Sequence, residues 1–409
     1  MNRTMVTTSE SSTATLTPRA AIRPYRVRVP RSVIARITQR VRATKLPEPA
    51  APDDSWAFGM SAATMRDLVS YWTTDYDWYR TEAELNAHPQ FLANVDGTMV
   101  HFYHVQGARR NATPVVLTHG WPGSVFEFLR VIEPLTHPER FGGDVRQSLT
   151  LVIPSLPGFG FAPVPPRETI GPVTTARLWH SLMTRVLGYQ RFGVQGGDLG
   201  CIVSTRLAHL FPESVIGLHL NLVPPPNKPI ERMNDEERQW LQRSAAFRAQ
   251  ELDYFQLMAH KPATMSLVLG DNPVGTAAWM LEKFKLWSDT GVSFEPVFTM
   301  HQLISAVMIY LVTGTADSVP WFYRGVLRET QGQSHPGERI KVPTAVAEFP
   351  KDLINGRPPR SLVQFGYNLV RYTSMPSGGH FAALEEPLRF ARDVGEFFHS
   401  LREPARPAS

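Results

Sequence analysis

Cysteine is almost absent from this chain of 409 residues, in which Cys201 is the single example. An intramolecular disulfide is therefore excluded, and so is a zinc site built from several cysteines. Long apolar runs are absent too, because none reaches the ~18 residues that suit a membrane-spanning helix. The first dozen residues are rich in serine and threonine and have no apolar centre, which argues against a secretory signal. Together these absences predict a soluble, cytoplasmic protein.

A strong excess of one charge is also missing. Lysine and arginine number 42 and aspartate and glutamate 37, which leaves a net charge of +5. Arginines are concentrated only between residues 19 and 42, where they are typical of a solvated helix face. We therefore expect no nucleic-acid partner. Hydrophobic residues make up 43% of the chain, which is ordinary for a globular protein with a large core.

The periodic patterns divide the chain into parts. Residues 1 to 22 are polar and without periodicity, so we expect them to be disordered. Residues 23 to 112 form an N-terminal module of helices and a hairpin. Strands alternate with helices from 113 to 225 and from 338 to 409, which predicts an α/β core with a mostly parallel sheet and helices on both faces. Residues 226 to 337 are mostly helical and rich in aromatic residues, which indicates an inserted lid.

Three local signals in the N-terminal module predict where its elements begin. Pro30 is followed by apolar residues at helical spacing, which predicts a helix that opens there. Thr81-Glu82-Ala83-Glu84 has the form of a capping box, which predicts a further helix from Thr81. Asp96-Gly97 lies between two alternating runs, and this arrangement predicts a hairpin of strands Gln90–Val95 and Thr98–Val105.

The stretch Gly196-Gly197-Asp198-Leu199-Gly200 carries the strongest chemical signal. A short buried strand ends at Val194, and apolar residues follow at helical spacing from Cys201. A Gly-x-Asp-x-Gly turn between a strand and a helix lifts one side chain above a parallel sheet, and small residues flank it because the backbone there is crowded. The lifted residue, Asp198, can attack carbon without a separate base and would form an ester. The alternative is a plain turn that only joins the two elements.

If Asp198 is a nucleophile, an acid and a histidine should follow it in the chain, each on a loop after a strand. Asp352 lies just past the strand predicted at Val342–Phe349, and His380 lies just past the last strand. His380 would deprotonate the water that hydrolyses the ester, and Asp352 would fix its tautomer. Glu348 is the rival for the acid, although we expect it to lie inside the strand.

Hydrolysis of an ester places negative charge on a carbonyl oxygen, which requires backbone N–H donors. Trp121, in His119-Gly120-Trp121-Pro122, and Leu199 are the expected donors of this oxyanion hole. His119 is more typical of a residue that hydrogen-bonds the backbone to hold the loop. We also expect Trp121 and Phe159 to contact the substrate.

Taken together, the motifs resemble the microsomal-type epoxide hydrolases, a group that includes juvenile hormone and soluble fungal enzymes. The resemblance covers roughly residues 22 to 401 and rests on six stretches: Tyr76–Arg80, Leu85–Phe91, Gly97–His104, His119–Pro122, Gly196–Gly200 and Gly378–Phe381. It implies an α/β-hydrolase fold and an enzyme that converts a hydrophobic epoxide and water to a vicinal diol. Asp198, Asp352 and His380 match the family's nucleophile, acid and base.

The resemblance also implies two lid tyrosines that hydrogen-bond the epoxide oxygen, and Tyr254 and Tyr323 match their positions. A phenol suits this role because it is a proton donor weak enough to coexist with a carboxylate nucleophile. Because no counterpart of the N-terminal anchor of the microsomal members is recognisable, we expect a soluble member of the family. No metal or organic cofactor is implied, the expected partner is a small hydrophobic epoxide, and only the relatives suggest a homodimer.

Two other functions stay open on the sequence alone. A haloalkane dehalogenase uses the same aspartate and histidine chemistry, but commonly has a tryptophan directly after the nucleophile, where this chain has Leu199. A ligand-binding protein of the same fold could keep the pocket and lack turnover. Formation of a diol from styrene oxide, and its loss in Asp198→Ala, would exclude the second function.

Overall fold

The computed structural model describes residues 22–48, 56–165, 170–291, 293–354 and 357–402. The segment predicted to be disordered, residues 1 to 22, lies outside these ranges except for Ile22. Across the ranges that are described, no helix is both long and apolar enough to cross a membrane.

The described strands form a single sheet of nine. They are β1 (Arg23–Tyr25), β2 (Gln90–Val95), β3 (Thr98–Val105), β4 (Thr113–Thr118), β5 (Leu149–Pro154), β6 (Phe192–Gly196), β7 (Val215–Leu220), β8 (Ile340–Glu348) and β9 (Tyr367–Ser374). Their order in the sheet is β1-β2-β3-β5-β4-β6-β7-β8-β9. The pairs β1–β2, β2–β3 and β3–β5 are antiparallel, and all pairs from β5–β4 to β8–β9 are parallel. The predicted mostly parallel sheet is confirmed.

Helices cover both faces of the sheet. Those in the described residues are α1 (Arg31–Ala43), α2 (Ala62–Thr74), α3 (Trp78–Leu85), α4 (Leu129–Thr136), α5 (Pro172–Ser181), α6 (Asp198–Leu210), α7 (Asp235–Glu251), α8 (Asp253–His260), α9 (Pro262–Gly270), α10 (Pro273–Leu286), α11 (Met300–Thr313), α12 (Val319–Thr330), α13 (Arg360–Gly366), α14 (Ala382–Glu385) and α15 (Pro387–Ser400). Helix α15 packs against α4, while α5 packs against α6. The core is continuous through the sheet, and its strands are apolar because both faces are covered.

Strand β6 lies inside the parallel part of the sheet, between β4 and β7. Since the carboxyl ends of parallel strands meet at one edge, the loops after β4, β6, β8 and β9 converge there. Helices α7 to α12 come between β7 and β8 in the chain, and we call them the helical insertion. Within it, α12 packs against α8 and α9 and also against α5 of the core.

The N-terminal part extends the sheet on one side and packs α1 against α10 and α11 of the helical insertion. The predicted hairpin is confirmed, with Asp96 and Gly97 at positive φ angles of 50° and 86°. The predicted start of α3 at Thr81 is wrong, because the helix begins at Trp78. Asp77 caps it by accepting a hydrogen bond from the Tyr79 N–H at 2.9 Å. An earlier cap with good geometry therefore takes precedence over the Thr81 capping box.

Candidate active site

Asp198 lies on a sharp turn directly after the central strand β6. Its φ angle is +46°, a region that non-glycine residues rarely adopt and that costs about 1–3 kcal/mol. The turn needs close backbone approach, since a Cβ on Gly200 would lie 1.9 Å from the Thr118 carbonyl oxygen. A Cβ on Gly196 would lie 2.3 Å from the Gly200 oxygen. The small residues of the turn thus allow the Asp198 side chain to project beyond the sheet edge.

The loop after β4 reaches over to this carboxylate. The backbone N–H of Trp121 donates a hydrogen bond to Asp198 Oδ1 at 2.8 Å. A Cβ on Gly120 would lie only 2.0 Å from the same oxygen, so this position also needs glycine. Leu199 is the second residue of α6, in the first turn, where backbone N–H groups have no partner within the helix. The observed backbone donor to the carboxylate is the Trp121 N–H, and the first turn of α6 begins at Asp198 itself.

His380 connects Asp198 to a second carboxylate. Its Nε2 lies 3.0 Å from Asp198 Oδ2, and its Nδ1 lies 3.3 Å from Asp352 Oδ1. The side chains of His380 and Asp352 are 2% and 4% exposed, so the ion pairs are shielded from water. Burial by itself would lower the pKa of His380, but Asp352 and then Asp198 raise it to about 10. In this state the imidazole carries a proton and lies between two carboxylates.

The acid and the histidine come from the loops after β8 and β9. Asp352 follows β8 by four residues and His380 follows β9 by six. The rival acid, Glu348, is the last residue of β8, and its side chain accepts a hydrogen bond from Ser374 Oγ at 3.1 Å. The backbone N–H of His380 donates to the Trp287 carbonyl at 2.8 Å. The position of the histidine thus depends on the helical insertion as well as on the sheet.

The two tyrosines of the helical insertion lie side by side over Trp121. Tyr254 is on α8 and Tyr323 is on α12, and their ring centroids are 5.9 Å apart. The Trp121 ring stacks on Tyr254 at 5.4 Å and meets the edge of Tyr323 at 6.1 Å. Burial raises the pKa of both phenols, and the charge of Asp198 adds to the rise. Within the described residues, the buried Tyr323 hydroxyl has no partner at ordinary hydrogen-bond geometry.

Phe159, which the sequence places among the substrate contacts, is a fully buried ring. It packs against Phe322 at 5.3 Å, His119 at 5.9 Å and Tyr310 at 6.3 Å between ring centroids. His119 has a structural set of bonds: its Nδ1 lies 2.9 Å from the Gly120 oxygen, and its Nε2 accepts from the Leu156 N–H at 3.0 Å. His119 thus joins the loop after β4 to the loop after β5, and Phe159 packs against its ring.

Two residues near Asp198 were missed by sequence reasoning. The Trp287 ring lies 5.1 Å from His380 and 5.4 Å from Tyr254 between centroids, so it closes one side of the site. Glu127 borders the same small cavity as Asp198 and His380. Glu127 offered a signal, because it is the only charged residue in the otherwise apolar segment Val125–Phe128. Trp287 ends a helix of the insertion, and nothing in its local sequence points to the site.

Metal ligands are not grouped in the parts of the chain that the structure describes, where no cluster of three or more histidine, cysteine, aspartate or glutamate side chains could hold an ion. The chemistry available at the site is that of a carboxylate, an imidazole with a second carboxylate behind it, and two phenols.

Fold and site together define the chain as an α/β-hydrolase in which the residue on the turn after the central strand is an aspartate. A family model described as alpha/beta hydrolase fold matches residues 113–272, and one described as Epoxide hydrolase N terminus matches residues 22–128. The protein Epoxide hydrolase 1 of Oryctolagus cuniculus is 34% identical over 410 residues, which cover 92% of this chain and 88% of that relative. The chain belongs to the epoxide hydrolase family and is an enzyme of that family.

Two solved structures share this fold over nearly the whole chain. The epoxide hydrolase of Aspergillus niger has a TM-score of 0.81 and 29% identity, and the match covers 94% of this chain and 97% of the other. The juvenile hormone epoxide hydrolase of the silkworm Bombyx mori has a TM-score of 0.80 and 27% identity, with 94% of each chain covered.

Proposed function

We propose that the chain hydrolyses a hydrophobic epoxide to a vicinal diol through a covalent ester on Asp198. The observation that carries this proposal is the arrangement of His380, whose two ring nitrogens face Asp198 Oδ2 and Asp352 Oδ1. The other oxygen of Asp198 is held by the Trp121 N–H. Oδ2 is thus the attacking oxygen, and Oδ1 is the oxygen on which charge develops in the second step.

In the first step, Asp198 Oδ2 bonds to one epoxide carbon while the carbon–oxygen bond of the ring breaks. Tyr254 and Tyr323 donate hydrogen bonds to the leaving oxygen. One of the two phenols transfers its proton to that oxygen, and the phenolate that results later recovers a proton from water. The raised pKa of both phenols keeps them protonated beside Asp198, so they remain donors. This assistance matters because the ring oxygen would otherwise leave as an alkoxide.

Before the second step, formation of the ester has changed the charge around His380. The ester of Asp198 is neutral, so one of the two carboxylates that raise the pKa of His380 no longer contributes. The pKa falls, so the imidazolium loses its proton to the solvent and can act as a base, and it regains a proton from the solvent once the carboxylate is restored. Water gives a proton to Nε2 and its oxygen bonds to Cγ of Asp198. The diol leaves with the proton from Nε2, and the carboxylate is restored.

The walls of the site favour an apolar substrate. Trp121 and Trp287 flank Tyr254, and Phe255 contacts Tyr323 at 5.2 Å between ring centroids. Aromatic walls with a few fixed polar groups suit a hydrophobic epoxide. Leu199 has no indole N–H to offer a leaving halide, which argues against dehalogenase chemistry in this site.

The test is a single turnover in water enriched in ¹⁸O, with enzyme in excess over styrene oxide. If Asp198 forms the ester, the new oxygen of the first diol comes from its side chain, so the product is mostly unlabelled and the label appears in the Asp198 peptide. Direct attack of water on the epoxide would label the diol at once and would contradict the proposal. Asp198→Asn, which forms no ester, is the matched control.

The division of the chain into domains remains a proposal. It assigns residues 23–112 to an N-terminal module, residues 113–225 and 338–409 to an α/β core, and residues 226–337 to a lid. The position of the helical insertion between β7 and β8 supports this division. The homodimer and the cytoplasmic location also stay predictions from the sequence. Light scattering coupled to size-exclusion chromatography tests the first, and cell fractionation tests the second.

A further inference from the structure

A small cavity lies against Asp198 on a side that neither tyrosine borders. Its volume is about 20 Å³, and its wall includes Asp198, His380, Glu127, Gly197 and Asn221. A cavity needs roughly 10–15 Å³ to hold one water molecule, and a water is stable there only with polar partners. This cavity therefore has room for one water and offers it carboxyl and imidazole groups.

Glu127 is the carboxyl group in this wall that the mechanism does not yet use. Glu127 lies in a short 3-10 turn, Val125–Phe128. The side chains of the other residues of this turn are apolar and buried. The Glu127 side chain keeps some accessible surface, whereas Oε1 is buried and has no hydrogen-bond partner in the described residues. A Cβ on Gly123 would lie 2.8 Å from Oε1, so a glycine there leaves room for the carboxyl. A buried polar atom without a partner beside a polar cavity points to a ligand in that cavity.

Glu127 carries a proton near neutral pH. Burial raises its pKa to about 8, the charge of Asp198 adds to the rise, and the His380 imidazolium opposes it. The other titratable group that faces it is the phenol of Tyr310, which donates to the Gly123 carbonyl at 2.5 Å. A neutral carboxyl both donates and accepts a hydrogen bond, as a water molecule in the cavity requires.

We propose that Glu127 and His380 hold between them the water that hydrolyses the Asp198 ester, in the cavity that neither tyrosine borders. This inference rests on the covalent mechanism proposed above. His380 Nε2 takes one proton from the water as its oxygen bonds to Cγ of Asp198, and the diol oxygen leaves with that proton. Glu127 keeps its own proton and fixes the direction of the attack. It is a positioning residue for the second step and has no part in the first.

The structural alternative is that Glu127 only stabilises the loop after β4. The Gly120 backbone lowers the pKa of Glu127 against the effect of burial, and this influence connects the carboxyl to that loop. On this alternative, loss of the carboxyl would disturb the Trp121 N–H that holds Asp198, and both chemical steps would suffer. The two interpretations therefore predict different effects of an apolar substitution at Glu127. If Glu127 holds the water, only ester hydrolysis slows; if Glu127 stabilises the loop, ester formation slows as well.

The experiment measures both steps in single turnovers of styrene oxide, with ester followed by intact-protein mass after acid quench. Glu127→Leu should slow hydrolysis about 10- to 100-fold, so that ester accumulates, while ester formation changes less than about twofold. Glu127→Gln keeps a donor and an acceptor and should restore most of the hydrolysis rate near pH 7. We also expect hydrolysis by the unaltered enzyme to decline above about pH 8, where Glu127 ionises, and Glu127→Gln should abolish that decline. Glu133→Gln, on the exposed side of α4, is the matched control and should change neither step.

Four results would overturn the inference. Equal slowing of both steps in Glu127→Leu would assign Glu127 to loop stability. Unchanged hydrolysis in that variant would remove Glu127 from the reaction altogether. Hydrolysis as slow in Glu127→Gln as in Glu127→Leu would mean that a neutral hydrogen-bonding group is not what the step needs. Absence of ester even in His380→Gln would overturn the covalent mechanism and this inference with it, and the ¹⁸O experiment would show the same failure independently.

Discussion

Replacement of Asp352 by asparagine tests how strongly the Asp352 carboxylate raises the pKa of His380, the proposed base. The two carboxylates raise the pKa of His380 from 6.5 to about 10 against the effect of burial. The difference corresponds to about 5 kcal/mol of preference for the imidazolium, at ~1.4 kcal/mol for each pH unit. Asp352 is the largest of the raising contributions, so its loss should lower the pKa of His380 by at least about 2 pH units.

The kinetic consequence falls on ester hydrolysis. In the ester state Asp352 is the only one of the two carboxylates that is still charged, so Asp352→Asn leaves His380 a weaker base. We expect the plateau rate of hydrolysis to fall about 10²- to 10⁴-fold, the range seen when the orienting acid or the base is impaired. The acid limb of the hydrolysis rate should move to lower pH, because a base with a lower pKa is deprotonated earlier as pH rises.

The assay combines two measurements on the same protein. NMR with carbon-labelled histidine follows the titration of His380, identified by the signal missing in His380→Gln. Acid-quenched single turnovers give the hydrolysis rate against pH. Glu348→Gln is the matched control, since Glu348 bonds to Ser374 and should leave both readouts unchanged. A His380 pKa that stays near 10 in Asp352→Asn, or an acid limb that does not move, would refute this reasoning.

The remaining predictions concern the base and the two phenols of the proposed mechanism. His380→Gln removes the base but not the nucleophile, so the protein mass should rise by the mass of one epoxide and the ester should persist for much longer than one normal turnover; a folded variant that traps no ester would exclude His380 as the base. Tyr254→Phe and Tyr323→Phe each remove one donor to the leaving oxygen and should slow ester formation about 10²-fold while hydrolysis of preformed ester is unchanged; slowing of hydrolysis instead would assign the phenols to the second step.

The sheet and the positions of its loops could be predicted from the sequence because their signals are local. The alternation of buried strands with amphipathic helices is visible residue by residue, and so is the Gly-rich turn around Asp198. Chain order then placed Asp352 and His380 on loops at the same sheet edge, since parallel strands bring their carboxyl ends together. The tyrosines were different: only the family resemblance singled them out, because their proximity to Trp121 depends on how α8 and α12 pack.

Other features could not be predicted because tertiary contacts decide them. Three residues, Arg23–Tyr25, form β1 only by pairing with β2, and nothing in so short a segment predicts a strand. Helix α5 ends at Ser181, and a π-helical turn over Leu182–Val186 follows it directly. The unpartnered oxygen of Glu127 depends on the absence of a side chain at Gly123, which is visible only in three dimensions.

The link between His380 and the helical insertion restricts how a substrate can reach the site. The His380 N–H donates to the Trp287 carbonyl at 2.8 Å, and the Gly378 N–H donates to Asp289 Oδ2 at 3.0 Å. Asp289 in turn donates its N–H to Glu385 at 2.8 Å. Lifting the end of α10 would break all of these bonds and displace His380, the base in the proposed mechanism. We therefore expect that any opening of the insertion that admits an epoxide leaves the end of α10 in place.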